Sequence, residues 1–355
     1  MISIRTLVLA LVLASPAFAQ VKVCPSTAAS DTITIAGSTT VQPIAIAWGA
    51  AYTAQCKAKV TVEGGGSSDG AKRVCGDTSK GSAVDIGGMS RAWKSTEATV
   101  STGGFTYQCV IGKKPKVIQI DVAIDGLTVI LKKSSLPQVC ITALGGLTFA
   151  QLRWMFSSYT AAKLASTGWS TSALANSDGS DKTHLYSEIS SSCPKTEIKL
   201  VGPTSTFGTY TYFLETILTD FAGGETFDLL RPTGAAYKGT TTDAATITAV
   251  KGDTTGASIG YVSYNAFDKA RTTVIAVSLK KSAGFVVPTS TTIGAGTYPL
   301  SRRIFMNLLS TTTTKTKALI EYGMSTKGTA DVIAKDFSPI PVSSRATQKA
   351  KLSIV

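Results

Sequence analysis

Short β-branched runs alternate with runs of helical spacing along most of the chain. Thr32–Ala36, Lys59–Glu63, Val84–Gly87, Val117–Val122, Leu127–Lys132, Ile198–Val201 and Ile259–Ser263 read as strands. Val41–Tyr52, Asp69–Val74, Thr148–Phe156 and Tyr210–Phe221 read as helices. Ile44 and Trp48 lie one turn apart, and Phe213, Leu214, Ile217, Leu218 and Phe221 make one apolar face of the kind that packs on a sheet. Thr148 and Gln151 have capping-box spacing. Strand, turn, helix and strand in this order predict an α/β fold whose ligands sit beyond the carboxyl ends of the strands. Gly168–Ser180, Gly239–Thr242 and Ser310–Thr314 read as surface loops or linkers.

Three of the turns share one character. Gly37-Ser38-Thr39-Thr40, Gly64-Gly65-Gly66-Ser67-Ser68 and Ser205-Thr206-Phe207-Gly208-Thr209 each leave a strand and enter a helix. A helix start has backbone N–H groups without internal partners and partial positive charge, and small hydroxyl residues add donors without bulk. Any one such turn is explained by ordinary N-capping. Three in one chain, two early and one past the middle, point to an oxyanion held from two lobes. A fourth turn, Asp85-Ile86-Gly87-Gly88-Met89-Ser90-Arg91, adds a hydroxyl and a guanidinium, whose planar fork suits a tetrahedral anion. The alternative use of Arg91 is an ion pair with Glu97.

Composition narrows the chemistry. Arg5, the apolar run Leu7–Ala14, Pro16 and Ala17-Phe18-Ala19 have the form of a signal peptide cut after Ala19, so residues 1–19 are expected to direct export to the periplasm or beyond. Residues 20–30 form an N-terminal extension, and Val21-Lys22-Val23 lack the small residues a lipid anchor at Cys24 would require. The even count of 6 cysteines suits up to three disulfides in an oxidising compartment, with the pairing left open. Without a Cys-x-x-Cys pair, and with His184 as the sole histidine, neither a zinc site nor a thiol-redox centre is expected, and no metal or cofactor. His184 follows Ser180-Asp181-Lys182-Thr183 and reads as a solvated loop residue rather than a general base. The net charge of +13, or +12 once Arg5 is removed, concentrates small anions. Lys and Arg are scattered, the longest runs being pairs such as Lys113-Lys114, which argues against nucleic acid as a partner.

Several of these segments, in order, resemble one family. Ile35–Pro43, Glu63–Gly70, Asp85–Arg91, Ile124–Leu127, Leu147–Leu152, Gly202-Pro203 with Phe207–Phe213, Ile259–Tyr261 and Tyr298–Arg302 are similar in order and approximate spacing to the phosphate-binding proteins of bacterial phosphate ABC importers. The resemblance implies a two-lobed periplasmic-binding-protein (Venus flytrap) fold, with mixed sheets flanked by helices and the ligand in the cleft. Residues 31–120 with 275–355 would form lobe I and 121–274 lobe II. It implies a monomer, not an enzyme, that closes around inorganic phosphate and presents it to a membrane permease. Carried over, the ligand residues would be Ser38, Thr39, Thr40, Val41, Ser67, Ser90, Arg91, Phe207, Gly208 and Thr209. Two departures stand out: Phe207 where family members often have serine, and Ser90 where many have an aspartate able to accept a phosphate proton. Asp69, Asp85 and Asp125 are the candidates for that lost acceptor. Sulfate or another oxyanion as ligand, and a phosphate-ester hydrolase, are the competing readings; the second lacks an evident nucleophile or metal centre.

Overall fold

A computed structural model describes residues 24, 32–101, 105–157, 184–205, 207–218, 237–280 and 284–353. The expected signal peptide, nearly all of the 20–30 extension, the Gly168–Ser180 loop, Thr206 and the helix end at Phe221 lie outside the described residues.

The chain begins with β1 (Thr32–Gly37), α1 (Gln42–Cys56), β2 (Lys59–Gly64), α2 (Ser67–Val74) and β3 (Ile86–Met89). β1 runs parallel to β2 on one side and β3 on the other, so the three strands send their following turns to the same end of the sheet. A hairpin of β4 (Ala98–Val100) and β5 (Thr106–Cys109) leads into β6 (Lys116–Lys132). The two strands expected here, Val117–Val122 and Leu127–Lys132, are one strand of 17 residues in the structure. It continues because Asp125 is paired and because Gly126 passes against Ile293, whose Cγ2 would lie 2.6 Å from an added Cβ.

After β6 come α3 (Leu136–Ala143), β7 (Leu147–Thr148), α4 (Phe149–Phe156), α5 (Tyr186–Ile189) and β8 (Lys199–Pro203). Next are α6 (Gly208–Phe213), prolonged by a π-helical turn Leu214–Leu218, then β9 (Tyr237–Thr240), α7 (Asp243–Gly252), β10 (Ser258–Ser263), α8 (Tyr264–Ala270), β11 (Val274–Ala276) and β12 (Leu279–Lys280). The chain closes with α9 (Ser290–Gly294), β13 (Ser301–Leu309), α10 (Thr314–Gly323), α11 (Thr326–Ala334) and α12 (Val342–Leu352). Thr148 and Gln151 make the expected capping box, and the apolar face of α6 and its extension is buried at Phe213, Leu214, Ile217 and Leu218.

The main sheet has the order β2-β1-β3-β13-β6-β10-β8-β9. β6 belongs to both ends of it. Its first part pairs with β13 as far as Gly126 opposite Ser301, and its second part pairs with β10 from Leu127 opposite Ser263. The sheet therefore has two halves joined by an unbroken strand, buried from Val117 to Leu131. A strand with helices on both faces needs apolar residues at every position, which explains the run of Val, Ile and Leu in β6.

β11 pairs with Lys132–Ile130 of β6, and β12 pairs with β7 in a small separate sheet. Two local expectations change. Gly239–Thr242 is not a loop: its first residues end β9 and Thr242 caps α7. His184 is not solvated; it is buried and stacked on Trp154, with ring centroids 4.1 Å apart.

All six cysteines are paired, as Cys24–Cys56, Cys75–Cys109 and Cys140–Cys193. Cys75 follows α2 directly and Cys109 ends β5, so this bond ties the helix carrying Ser67 to the hairpin beside β6. With a sequence separation of 34, the Cys75→Ala/Cys109→Ala double variant is expected to lose about 4 kcal/mol of stability, measured by urea unfolding under oxidising conditions.

Candidate oxyanion site

The turns after β1, β2 and β3 meet because glycines let their backbones touch. Gly37, at φ +135°, lies against Gly70 of α2 and Gly88 of β3, and a Cβ on it would stand 2.8 Å from Gly70 Cα. Gly65 and Gly66 both donate N–H bonds to Gly37 O at 2.9 and 3.0 Å. This close approach gathers three hydroxyls. Ser38 Oγ donates to Ser90 Oγ at 2.9 Å, Ser67 Oγ and Ser90 Oγ are 3.2 Å apart, and Ser90 N–H donates to Ser67 Oγ at 3.0 Å. Thr40 N–H joins them, donating to Ser38 Oγ at 3.2 Å. Each hydroxyl both donates and accepts, so the cluster can turn its hydrogens toward an incoming anion.

The helices behind these turns lack a side-chain cap, as α10 and α12 also do. α3, α4, α7, α8, α9 and α11 are each capped by a Ser or Thr side chain. α1, α2 and α6 begin at Val41, Gly66 and Phe207 with no side-chain cap. Around these starts Ser38, Ser67 and Ser90 bond to one another, and Thr40 Oγ1 faces the junction described next.

The third turn comes from the other half of the sheet and meets the first. A Cβ on Gly208 would stand 2.7 Å from Thr40 Oγ1 and 3.2 Å from Thr40 Cα, so only glycine brings the start of α6 this close. Thr39, Thr40 and Asp125 from one half and Phe207, Gly208 and Thr209 from the other line a cavity of 290 Å³ beside the contact. A wider groove of 1260 Å³ along β8, β9 and α7 contains none of the expected residues. Two expected amides are engaged within their own turns: Val41 N–H with Ser38 O at 3.0 Å and Phe207 N–H with Thr204 O at 3.1 Å.

Arg91 takes the alternative course. Its guanidinium grips Glu97 with both end nitrogens, at 2.8 and 2.9 Å, and donates to Ser68 Oγ at 2.9 Å. Burial pushes the Glu97 carboxyl up, but bonds from Arg91 and from Lys94 N–H more than offset it and hold it below the usual range. The guanidinium at the junction between the halves belongs instead to Arg302 of β13. Its Nη2 donates to Thr40 Oγ1 at 3.0 Å, Nε to Asp125 Oδ2 at 3.2 Å and Nη1 to Glu215 Oε2 at 3.2 Å. Its Cζ lies 3.7 Å from the centroid of the Tyr212 ring, a stacked position that guanidinium favours. Burial raises the Asp125 carboxyl, and Arg302 opposes that rise. Of the other carboxylates considered, Asp85 is bonded to Thr34 N–H and Oγ1 at 2.8 and 2.9 Å, and Asp69 sits 3.7 Å from Arg73.

A family model described as a PBP superfamily domain matches residues 23–327. The chain belongs to the PBP superfamily. The protein SphX of Synechococcus elongatus is 26% identical over 277 residues, 77% of this chain and 67% of that one. A crystal structure titled a possible phosphate binding protein from Planctomyces limnophilus superposes with a TM-score of 0.68 at 24% identity, covering 91% of this chain and 98% of the other. An ABC-type phosphate transport receptor from Vibrio cholerae superposes with a TM-score of 0.56 at 21% identity, covering 87% and 100%. The expected periplasmic-binding-protein fold is thus the fold of this PBP superfamily chain, mixed α/β with helices around the sheet. No helix among the described residues is long and apolar enough to cross a membrane.

Arg302, Tyr212 and Glu215 were not among the residues expected from sequence. A usable signal was present: two adjacent arginines open an otherwise apolar run, Ser301-Arg302-Arg303-Ile304-Phe305-Met306, and an aspartate interrupts β6. A buried strand carries such charges only when they are paired.

Proposed function

We propose that this chain is an exported solute-binding protein that takes up inorganic phosphate between two lobes and delivers it to an ABC permease. The observation that carries the reading is the meeting of Thr40 with Gly208 and Arg302, which joins the serine cluster of one half to the start of α6 in the other. In this proposal lobe I holds β1–β3 with their helices and lobe II holds β8–β10. The hydroxyls of Ser38, Thr39, Thr40, Ser67, Ser90 and Thr209, with the amide of Gly208, surround the oxygens of one dehydrated phosphate, while the amides of Val41 and Phe207 hold their own turns. Arg302 supplies the ionic contact, and Arg91 holds Ser68 and so the start of α2. Phosphate bonded to both sets of donors offsets the cost of bringing the lobes together, so binding and closure are one equilibrium.

The relatives titled as phosphate receptors support phosphate over other oxyanions, and the basic net charge supports capture of an anion. Phosphate at about a thousand times its Kd is expected to add roughly 4 kcal/mol to unfolding stability. Differential scanning fluorimetry reads this as a rise in Tm, with a much smaller rise in equimolar sulfate. Equal melting temperatures with and without phosphate would refute the proposal.

A further inference from the structure

The cavity at the junction is walled on one side by Lys335, Asp336 and Phe337, which follow α11 directly. α11 belongs to the first half, where Gly328 O accepts from Trp48 Nε1 of α1 at 2.9 Å. From there the chain is fastened across the junction. Asp336 Oδ1 accepts from Lys269 Nζ of α8 at 2.9 Å, and Ser338 exchanges backbone bonds of 2.8 and 2.9 Å with Ile124 of β6. Three carboxylates line this cavity, and two have a cation of their own, Asp125 with Arg302 and Asp336 with Lys269. Asp243 has instead the N–H and hydroxyl of Ser263, and burial pushes its carboxyl above the usual range. Among the described residues Lys335 is the one basic side chain that lines the cavity, and its exposed ammonium has no hydrogen-bond or ion-pair partner. A lysine held beside Thr39, Thr40, Gly208 and Thr209 and left unpaired is a cation free to meet an anion.

Resting on the phosphate reading, we propose that Lys335 is a further anion-contacting residue, the cation that draws phosphate into the junction cavity and stays against it once the halves have met. An anion bonded to Thr40 and Gly208 enters a space that three carboxylates share, and Lys335 supplies the positive charge that Arg302 and Lys269, each already matched, do not. The two cations near Thr40 then have separate parts. Arg302 is stacked on Tyr212 and bonded in three directions, so it fixes the orientation of the Thr40 hydroxyl. Lys335 is a point charge on a flexible stem, so it adds attraction without fixing a geometry. The Asp336–Lys269 pair and the Ser338–Ile124 bonds hold the backbone on which that stem begins.

The deciding experiment is isothermal titration of the full mature chain with inorganic phosphate at low and at high ionic strength, comparing wild type with Lys335→Gln, Lys335→Arg and Lys327→Gln. Lys327 is an exposed lysine in the first turn of α11 that does not line the cavity, so its loss lowers the net charge equally without touching the site. Lys335→Gln is expected to weaken phosphate binding about tenfold at low ionic strength and by less at high, since salt screens an exposed charge. Lys335→Arg should keep most of the affinity, and Lys327→Gln should change it by less than about twofold. Lys335 also ends α11, where the helix dipole favours a cation. A role confined to that end would lower the melting temperature without ligand and leave the affinity alone. That outcome, or equal affinities for Lys335→Gln and Lys327→Gln, would overturn the role of Lys335 while leaving phosphate binding in place. Absence of phosphate binding by the wild type would overturn the parent reading with it.

Discussion

Replacing Arg302 by alanine is expected to weaken phosphate binding by about 10²–10³-fold, the cost of removing a charged hydrogen-bond donor from an enclosed site. The same change leaves Asp125 buried without its cation, and breaking such a pair costs about 3–5 kcal/mol. Reduced affinity and reduced stability therefore come together, and a second variant separates them. Arg302→Lys keeps the positive charge beside Asp125 but cannot direct three donors toward Asp125, Thr40 and Glu215 at once. It should fold with most of the wild-type stability and still bind phosphate poorly. Arg91→Ala is the necessary comparison, and its loss is expected to be about tenfold or less, because its guanidinium is occupied by Glu97 and Ser68. Titration calorimetry on the three variants decides between the arginines: a larger loss from Arg91 than from Arg302 would return the ionic role to Arg91.

Gly70→Ala sets two effects against each other. Gly70 lies within α2, where alanine is preferred by about 1 kcal/mol on propensity alone. The added methyl would, however, fall on Gly88 O and stand 3.0 Å from Gly37 Cα, both backbone atoms that cannot swing aside. Overpacking of this kind costs roughly 1–3 kcal/mol, and here the strain lies under Ser38, Ser67 and Ser90. The expected result is a net loss of about 1 kcal/mol in urea unfolding, with a loss of phosphate affinity of about tenfold or more. Unchanged affinity in a folded variant would mean that the three turns need not touch for the site to work.

Much of the first half was legible because its elements are local. β1, α1, β2 and α2 alternate within some 40 residues, and each strand leads straight to the turn that uses its carboxyl end. The serine cluster follows from that order and from the glycines between. β13 was not legible. Its run from Ser301 has no clean alternation, with two arginines at its start and Met306, Asn307 and Leu308 buried in succession, and its partners β3 and β6 lie far back in the chain. With the strand went Arg302, whose importance depends on Asp125, Thr40 and Glu215, each distant in sequence. Arg91 stood at the end of a recognisable turn and invited the ionic role, but Glu97, six residues on, was close enough to claim it. His184 failed for a related reason: the polar residues before it describe the approach to the core, whereas Trp154 decides where the ring ends up.

The position of β13 also governs the order in which the molecule can be completed. It fills the slot between β3 and the first part of β6, strands synthesised more than 170 residues earlier. Until Leu309 has emerged, β3 and β6 each present a bare edge with unpaired amides and carbonyls, and the close of folding waits for contacts of very long range. A chain truncated before Ser301 would keep both edges open and be prone to stick to its own copies. In the whole protein the last strand to arrive is the one that locks the middle, and it carries Arg302 into the junction as it does so.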